Sequence, residues 1–332
     1  MKKKNTFKKI IYSLLALAWV ATAVAGFLVL RSESNQGSSS TDSKNLTVVN
    51  FGYQRGDEAD IIRMNGQFAK DAKKLGYKIK WTLFQDGTSL LTALTSNHIQ
   101  FGRTGNTPPV VSQASGTNVV YVGATTSKSE SSMILVPEDS EISSIADLKG
   151  KTVAYGFGTS STYFLIKALQ SADLTLNDIT ETNLGQSAAA TAFQTGKVDA
   201  WVTWDPYSAA AEIQNNAKVL TTAKGYSGDY NFFLSTKKWA SKHSDLIDLL
   251  NKDGKIAMKW ANNNHSTLIK TFVKELGLDE DVAELQVSRR TYGMASLSDS
   301  TIINEQQDIA DVLYDNDMID TKINVKDAII NE

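Results

Sequence analysis

Two segments of the sequence place small and hydroxyl-bearing residues where a helix is expected to begin, and such a position can hold an anion. Gly105–Pro109 precedes the apolar stretch Val110–Ala114, and Gly156–Thr162 precedes Tyr163–Leu169. Each segment follows a predicted strand. The first N–H groups of a helix lack intrahelical partners and lie at the positive end of the helix dipole. The pattern predicts that neutral donors, without a dedicated lysine, surround a negatively charged group.

The alternative is that these segments only cap their helices. Asn106 and Thr107 are good N-cap residues, and Pro108 suits the first helical turn. The presence of one segment in each half of the chain favours binding, because ligands of open α/β sheets gather beyond the carboxyl ends of the strands. Neither segment is a dinucleotide-binding fingerprint, since the third glycine is missing after Gly156 and Gly158.

Four further candidates lie at or near the ends of predicted elements. Trp204 follows the strand Ala200–Thr203, where an aromatic ring can pack against an alkyl or aryl tail; a position in the protein core is the alternative. Gln54 is a neutral donor after the first strand, and Asp205 is an acceptor if it faces a cleft. Arg290 is a candidate cation partner, although paired arginines more often lie on a solvated surface. The predicted ligand-binding residues are Gln54, Gly105, Asn106, Thr107, Thr159, Ser160, Ser161, Thr162, Trp204, Asp205 and Arg290.

The sequence offers little support for catalysis or for metal binding. It contains no cysteine, which excludes disulfides, thiol catalysis and thiolate metal sites. The three histidines, His98, His243 and His265, show no metal-ligand spacing. No nucleophile elbow, carboxylate pair or redox motif is recognisable. The sequence therefore predicts a binding protein without a cofactor or a metal site, and not an enzyme.

The candidate residues belong to two stretches of similar pattern about a hundred residues apart. Leu90–Asn106 and Ala188–Asp205 each have the spacing of a helix that leads into a strand and then a turn before a proline. Each stretch is preceded by a predicted strand that ends at a glycine, Val48–Gly52 before the first and Thr152–Gly156 before the second. Two α/β units predict two lobes around a ligand cleft, each lobe a mostly parallel sheet flanked by helices. Apolar spacing also predicts one helix over Asp60–Leu75.

The chain is predicted to cross twice between the lobes. The polar segments Ser127–Ser132 and Ala223–Asp229 interrupt the alternation of strands and helices, and together they predict a two-stranded hinge. We expect residues 46–127 and 225–332 to form the first lobe and residues 128–224 to form the second.

The first 31 residues have the pattern of an export signal. Lys2–Lys9 is cationic, and Ile10–Leu30 is a run of 21 residues without a charge, which is long enough to span a membrane. We expect an uncleaved anchor over residues 1–31, with its lysines in the cytoplasm, and a flexible linker over residues 32–45. Cleavage and secretion is the alternative. The protein is accordingly expected at the outer face of the cell membrane.

The charge distribution argues against a nucleic-acid partner. Six of the 34 basic residues lie in residues 1–31, which contain no acidic residue. The remainder of the chain therefore has 28 basic and 36 acidic residues. A nucleic-acid surface requires a basic excess. We expect a monomer that binds a small molecule.

Five segments closely resemble the aliphatic-sulfonate-binding proteins of ABC importers. The similarity covers essentially all of residues 46–332, and the motifs are specific in combination. The segments are Phe51–Asp57, Phe101–Pro109, Asp147–Lys151 with the Gly-Thr-Ser-Ser helix start that follows it, Val198–Tyr207 and Arg289–Gly293. The resemblance implies a type II periplasmic-binding-protein fold, an alkanesulfonate or similar small organosulfur anion as ligand, and delivery of that ligand to the transmembrane subunits of an ABC permease.

The resemblance also implies the residues of the cleft. Carried over by position, they are Gln54, Gly105–Thr107, Thr159–Ser161, Trp204 and Asp205. Relatives often have Asp in place of Asn106 and His in place of Thr162, so the exact ligand stays open. A sulfonate is ionised at any biological pH and has no proton to donate, which suits a cleft rich in donors. The alternatives are taurine, nitrate or a vitamin precursor bound by the same fold, or a two-lobed biosynthetic enzyme.

Overall fold

The computed structural model describes residues 46–330, in which strands and helices alternate around two β-sheets. The predicted anchor (1–31) and linker (32–45) lie outside these residues. Within residues 46–330, no helix combines the length and the apolar character that a bilayer crossing requires. The strands are β1 (Thr47–Tyr53), β2 (Tyr77–Leu83), β3 (Phe101–Gly105), β4 (Val119–Thr125), β5 (Ser132–Val136), β6 (Thr152–Tyr155), β7 (Thr180–Asn183), β8 (Ala200–Trp204), β9 (Lys218–Thr222), β10 (Asn231–Thr236) and β11 (Met294–Ala295). The helices are α1 (Glu58–Asn65), α2 (Gln67–Lys74), α3 (Gly87–Thr95), α4 (Thr107–Ala114), α5 (Ser160–Gln170), α6 (Gln186–Gln194), α7 (Tyr207–Asn215), α8 (Lys237–Ala240), α9 (Ser244–Asn263), α10 (His265–Leu276), α11 (Glu280–Ser288) and α12 (Ser300–Asp315).

Most strands within each sheet run in one direction. The first sheet has the order β11-β4-β10-β3-β1-β2, and only β10 and β11 run against the other four strands. The second sheet has the order β7-β6-β8-β5-β9, and only β5 is reversed. Strands β5 and β10 are reversed because each enters its sheet from the carboxyl end of a strand in the other sheet. The predicted mostly parallel α/β architecture is confirmed.

Two connections join the sheets, residues 126–131 between β4 and β5 and residues 223–230 between β9 and β10. A buried ion pair between Lys128 and Asp229 ties them together, and the amide of Lys128 donates to the carbonyl of Gly228 at 3.2 Å. The predicted lobe limits, 46–127 with 225–332 and 128–224, stay a prediction, because the chain from Leu46 onward packs as a single compact unit.

The predicted helix over Asp60–Leu75 is wrong in one respect, since two helices occupy this stretch. Gly66 has a φ of 75° and ends α1, with its amide bonded to the carbonyl of Ile62; α2 then begins at Gln67. Only glycine adopts this left-handed conformation at little cost, so the apolar spacing continues through a break in the backbone.

Aromatic side chains fill the core beneath the first sheet. The rings of Phe51 and Phe101 stack at 5.5 Å between centroids, and Phe68 of α2 and Phe233 of β10 meet Phe51 edge-on at 6.1 and 6.2 Å. Phe232, the neighbour of Phe233, points to the opposite face and packs with a separate cluster. Each of these buried rings stabilises the fold by roughly 1.5–3 kcal/mol and holds the strand ends in a fixed position.

Candidate functional site

A cavity lies at the carboxyl ends of strands from both sheets. Gln54 follows β1 directly, Gly105 ends β3 and Trp204 ends β8, and all three line the cavity. This is the location at which open α/β sheets bind ligands. The space between the protein atoms, part of which is open to solvent, measures about 510 Å³. The cavity therefore lies where a ligand of this kind of sheet is expected.

Glu58, in the first turn of α1, is the centre of a buried charge cluster on the first-sheet side of the cavity. Its Oε2 accepts a hydrogen bond from Arg103 Nε at 2.9 Å, and Arg103 Nη2 lies 2.7 Å away. Arg290 donates through Nη2 to Glu58 Oε1. The side-chain amide of Asn231 donates to both carboxylate oxygens, at 3.1 and 3.3 Å. Two guanidinium groups thus share one carboxylate.

The cluster keeps Glu58 ionised and carries a net positive charge. Burial would raise the pKa of Glu58, but Arg103 and Arg290 outweigh this effect and lower the pKa to about 2. Asp57 Oδ2 lies 3.6 Å from Arg103 Nη1. Burial raises the pKa of Asp57 to about 7, against the opposing effect of Arg103, so this second carboxyl is only partly ionised at neutral pH. An anion near Arg103 and Arg290 is therefore favoured.

The paired arginines do not lie on a solvated surface, because the side chains of Arg289 and Arg290 are only 11% and 6% exposed. The guanidinium of Arg290 lies over the ring of Tyr292, 4.8 Å from its centroid. Arg290 lines the cavity, and its buried Nε makes no hydrogen bond to any described residue. A buried donor left without an acceptor costs about 1–3 kcal/mol. Arg290 Nε is thus a candidate donor to a ligand.

Lys128 is a further cationic group at the cavity, where no lysine had been predicted. Its Nζ pairs with Asp229 and donates to Ser132 Oγ at 3.0 Å. Burial lowers the pKa of Lys128, and Asp229 opposes that shift. Because an ammonium group has three donors and two of them are used, one is left for a ligand.

The second-sheet side of the cavity includes the start of α5. Thr159 is the N-cap residue, but its hydroxyl donates to the carbonyl of Gly156 at 2.6 Å and does not cap the helix. Ser160, the first helical residue, lines the cavity with Thr159. The Thr159 side chain makes no cap hydrogen bond, and the amide of Thr162 donates to the carbonyl of Thr159 at 2.9 Å, so the amides of Ser160 and Ser161 are the ones available to an anion.

Ser161 and Thr162, also predicted as site residues, point into the second-sheet core. The hydroxyl of Ser161 donates to the carbonyl of Val202 at 3.2 Å, and the hydroxyl of Thr162 accepts from the amide of Gly158 at 3.0 Å. Both side chains are buried. The hydroxyl of Thr162 stabilises the turn before α5 and that of Ser161 joins the helix start to β8, and any contact with a ligand stays a prediction.

The start of α4 is less open to an anion than the start of α5. Asn106 donates to Ser227 Oγ at 3.4 Å and accepts from the hydroxyl of Thr107 at 3.1 Å. Both Asn106 and Thr107 are buried. Pro108 and Pro109 stand in the first turn, and proline has no N–H to donate. The side chains of this segment hold it in place within the fold.

Trp204 and Asp205 follow β8. Trp204 is only partly buried and lines the cavity, so its ring is available to the tail of a ligand. Asp205 Oδ1 accepts from the hydroxyl of Ser208 at 2.6 Å and from the amide of Ala209 at 3.2 Å. Asp205 Oδ2 has no hydrogen bond to any described residue, and Arg289 Nε is 3.6 Å away. Burial raises the pKa of Asp205, against the effect of Arg289.

Arg289 links the two sides of the cavity. It follows α11, which packs on the core of the first sheet. Its Nη1 and Nη2 each lie 2.9 Å from Oε1 of Glu212, in α7 beside the second sheet, and its Nε faces Asp205. A second link joins the same two regions, since Gln214 donates to Asp279 at 2.8 Å. The described conformation is therefore one in which the two sides are held together.

The structure brings most of the predicted site residues to one cavity. The predicted residues that line it are Gln54, Gly105, Thr159, Ser160, Trp204, Asp205 and Arg290. Asn106, Thr107, Ser161 and Thr162 lie within two positions of these residues in sequence but do not line the cavity. At Gly105 the two sides approach closely, because a Cβ there would come 2.6 Å from Ser160 Oγ. Ligand contact by these residues remains a prediction.

Sequence reasoning did not find Arg103, Lys128 and Asn231, which also line the cavity. Arg103 had a usable signal, because it stands in the buried strand β3, where a charged residue requires a partner. Lys128 and Asn231 had none, since each lies in or next to a polar connection between the sheets. Within residues 46–330, no group of three or more His, Asp or Glu side chains could hold a metal ion.

Comparison with known proteins identifies the family. The model of the family described as "NMT1/THI5 like" matches residues 73–264. The chain belongs to this family. An aliphatic sulfonates-binding protein of Escherichia coli (strain K12) is 31% identical to it over 310 residues, which are 93% of this chain and 95% of the relative. The resemblance predicted from the sequence motifs is confirmed.

Solved structures share the fold of this NMT1/THI5-like protein. The alkanesulfonate-binding protein of Xanthomonas axonopodis pv. citri bound to MOPS has a TM-score of 0.81 and 29% identity, and the match covers 87% of this chain and 100% of that one. A desulfurization enzyme has a TM-score of 0.62 at 13% identity, covering 86% of this chain and 97% of that one. The second likeness shows the fold alone. The predicted periplasmic-binding-protein fold is confirmed.

Proposed function

We propose that this protein is the extracytoplasmic solute-binding protein of an ABC importer and that it binds a small aliphatic sulfonate in the cavity. The observation that carries the proposal is a cavity wall with the open start of α5 on one side and the positively charged Glu58–Arg103–Arg290 cluster on the other. The names of two relatives support it, since one is named for aliphatic sulfonates and the other, named for alkanesulfonates, holds MOPS, which carries a sulfonate group.

The chemistry of the sulfonate group fits the available donors. Its three oxygens only accept hydrogen bonds, and the cavity offers Arg290 Nε, the first amides of α5, the remaining donor of Lys128 Nζ and the hydroxyl of Ser131. A hydrogen bond to a charged group contributes about 1.5–3 kcal/mol, and micromolar affinity corresponds to about 8 kcal/mol. About four such donors and a modest apolar contact therefore suffice.

Trp204 supplies the apolar contact. Its ring lines the cavity from the second-sheet side and can cover the alkyl part of the ligand, while the sulfonate faces the donors. Burying apolar area contributes about 25 cal/mol per Å². A longer alkyl chain is therefore expected to bind more tightly until it reaches the open part of the cavity.

We propose binding rather than catalysis. Within the described residues, no histidine lines the cavity. The carboxyl groups of Asp57 and Asp205 accept hydrogen bonds from backbone amides, Asp57 from those of Gln54 and Asp60 at 2.9 and 2.7 Å. Such bonds hold each carboxyl group in place at the start of the helix that follows it.

We also propose that residues 1–31 hold the protein, as a monomer, at the outer face of the membrane, where the transmembrane subunits of the permease receive the ligand. The uncharged run Ile10–Leu30 and the lysines before it support this proposal. Amino-terminal sequencing of the mature protein tests it. An intact amino terminus is expected, and a chain that starts near Gly26 would contradict it.

Calorimetric titration tests the ligand class. The protein is unfolded and refolded to remove any carried ligand, and is then titrated with ethanesulfonate, longer alkanesulfonates, sulfate and nitrate. We expect micromolar binding of an alkanesulfonate and weaker binding of sulfate, because sulfate has no tail to place on Trp204. Failure of every sulfonate to bind would overturn the proposal and leave only the receptor fold.

A further inference from the structure

The solvent-exposed faces of α2 and α9 form one lysine-rich surface, which we call the lysine face. It consists of six exposed lysines at helical spacing, namely Lys70, Lys73 and Lys74 of α2 and Lys252, Lys255 and Lys259 of α9. The two helices pack against each other. Lys74 and Lys252, one from each helix, both interact electrostatically with Asp71 and Asp253. The two rows of lysines are therefore neighbours on one surface.

Lysines are concentrated around this face, although the chain after residue 31 is acidic. Residues 67–83 and 237–263, which include α2 and α9, contain eleven lysines and four aspartates. The hydroxyl of Tyr77, in the first stretch, donates to Asp245 in the second at 3.0 Å, so the two stretches lie together. Of the 28 basic and 36 acidic residues after residue 31, this leaves 17 basic and 32 acidic residues for the rest of the chain. One region of an otherwise negative protein is therefore positive.

Exposed apolar side chains stand among these lysines. Within residues 46–330, the two most exposed large apolar side chains are Leu75 and Ile256, at 47% and 48%. Leu75 directly follows Lys74, and Ile256 lies one turn after Lys252 on the same face of α9. Ammonium groups around exposed apolar side chains are typical of a surface that lies on a membrane. A surface that only faces water explains the lysines but not the apolar side chains among them.

The lysine face is separate from the cavity and close to the first described residues. None of its lysines lines the cavity, which lies at the carboxyl ends of β1, β3 and β8. In contrast, α2 ends beside the amino ends of β1 and β2, where the amide of Thr47 donates to the carbonyl of Gly76 at 2.8 Å. Residues 32–45, the predicted linker, directly precede Leu46. The linker therefore joins the described residues next to Leu75.

We propose that the lysine face docks on a lipid bilayer with anionic headgroups and leaves the cavity unobstructed. The inference goes beyond the proposed function and does not depend on which ligand binds. Each lysine near an anionic bilayer contributes about fivefold in affinity. An anchor in residues 1–31, as proposed above, raises the local concentration of the face at the membrane, so a weak affinity of the face itself is sufficient. The acidic remainder of the chain is repelled by the same headgroups, which selects this face.

Site-specific labelling tests the docking, because the chain has no cysteine of its own. Leu75→Cys places a fluorescent label on the lysine face, and Ser187→Cys places it on an exposed position of α6 as the control. The full-length protein is reconstituted into vesicles that contain a nitroxide-labelled quencher lipid. The vesicles are made of phosphatidylcholine alone or of equal parts of phosphatidylcholine and phosphatidylglycerol.

We expect the label at position 75 to be quenched at least about threefold more in the anionic vesicles, and the label at position 187 to be quenched equally in both. Salt at about 1 M should remove the difference, because the Debye length falls to about 3 Å. Equal quenching at position 75 in the two kinds of vesicle would overturn the inference.

Two triple variants with the same change in charge locate the effect. Replacing Lys73, Lys252 and Lys255 by Gln should return the quenching at position 75 to its level in neutral vesicles. The matched control replaces Lys149, Lys197 and Lys218, which are exposed near the second sheet, and should leave the quenching unchanged. An equal loss in both variants would show only an effect of net charge and would overturn the assignment to the lysine face.

The outcomes also separate the inference from the proposed function. Docking is measured without a sulfonate, so failure of the ligand proposal leaves it standing. If salt at about 1 M releases the protein from the vesicles, the anchor proposal fails, and co-flotation with anionic vesicles at low salt then tests the lysine face directly. A response of the label at position 75 to permease subunits in neutral vesicles, without a response to anionic lipid, would identify a protein-docking surface and overturn the inference.

Discussion

The two sides of the cavity are built from different chemistry. On the first-sheet side, Glu58, Arg103 and Arg290 form a charged network that is buried within one core. On the second-sheet side, the open start of α5 offers neutral donors and Trp204 offers an apolar surface. Charges that are buried in one core rearrange only at a large cost in free energy. Backbone amides and an aromatic ring, in contrast, can accommodate ligands with different alkyl parts. The difference suggests a division of roles, with attraction of the anion on one side and fitting of the rest of the ligand on the other.

The largest expected effect follows from breaking the charged side. Glu58→Gln leaves Arg103 and Arg290 without their shared carboxylate, and breaking a buried ion pair costs about 3–5 kcal/mol of unfolding free energy. Urea denaturation should show this loss. The matched control is Glu130→Gln, which removes an exposed ion pair with Lys224 and should leave stability unchanged. A stable Glu58→Gln protein would show that the two guanidinium groups find other partners.

The same network predicts how stability depends on acid. The pKa of Glu58 lies at about 2 in the fold and at 4.5 ordinarily, so the unfolded chain binds the proton first. This carboxylate therefore contributes stability above about pH 4.5, on the order of 3 kcal/mol, which is lost as the pH falls toward 2. Denaturation of the wild type and of Glu58→Gln between pH 7 and 3 measures the difference. Parallel acid profiles would contradict the assignment.

On the adaptable side, Trp204→Ala is expected to weaken the binding of long alkanesulfonates about tenfold, because the tail loses its apolar surface. The effect should shrink for ethanesulfonate, whose tail is short. The fold should persist, since Trp204 is only partly buried. Titration and circular dichroism of the same sample check both statements. If the variant did not fold, the result would show instead that Trp204 is part of the protein core.

A smaller effect is expected where the two sides meet. Glu212→Gln weakens the ion pair with Arg289 and should raise the dissociation rate of every sulfonate by about fivefold, because the pair holds the sides together around the ligand. Stopped-flow measurements give that rate. Asp279→Ala, which breaks the outer link to Gln214, is the control and should change it less. Equal effects of the two substitutions would show that the ion pair between Glu212 and Arg289 has no special part in holding the two sides together.

The smallest effect compares the two helix starts. Ser160→Ala at α5 should weaken sulfonate binding about threefold, which is the worth of one neutral hydrogen bond. Thr107→Ala at α4 should leave binding unchanged, because the hydroxyl of Thr107 bonds to Asn106 and does not line the cavity. Titration of both variants with one alkanesulfonate decides this. A larger loss in Thr107→Ala would reverse the ranking of the two starts.

Much of the fold followed from the sequence because its signals are local. The alternation of apolar spacing, the glycines after strands and the polar connections predicted the elements of both sheets. The break at Gly66 was missed, since a glycine inside an apolar pattern does not reveal a left-handed backbone. The reversal of β5 and β10 was not predicted either, because strand direction depends on how the chain re-enters a sheet.

The neutral side of the cavity was predictable for the same reason, since Thr159 and Ser160 stand together in a recognisable helix start. The charged side was only partly predictable. Glu58, Arg103 and Arg290 are far apart in sequence, and only Arg103, a charged residue in a buried strand, gives a signal by itself that it requires a partner. The role of these three residues depends on their burial and on their contacts with one another, and a single sequence shows neither.

The ion pair between Lys128 and Asp229 bears on how the protein can move. It joins the two connections between the sheets at the point where they pass each other, and it is buried. Parting these charges would cost several kcal/mol, so the connections must bend as a unit. A movement of one sheet against the other that kept this ion pair intact would be restricted to a rotation about a single axis, without twist. A membrane transporter that distinguishes the ligand-bound protein from the ligand-free protein would then detect a difference in a single angle, the one between the two sheets.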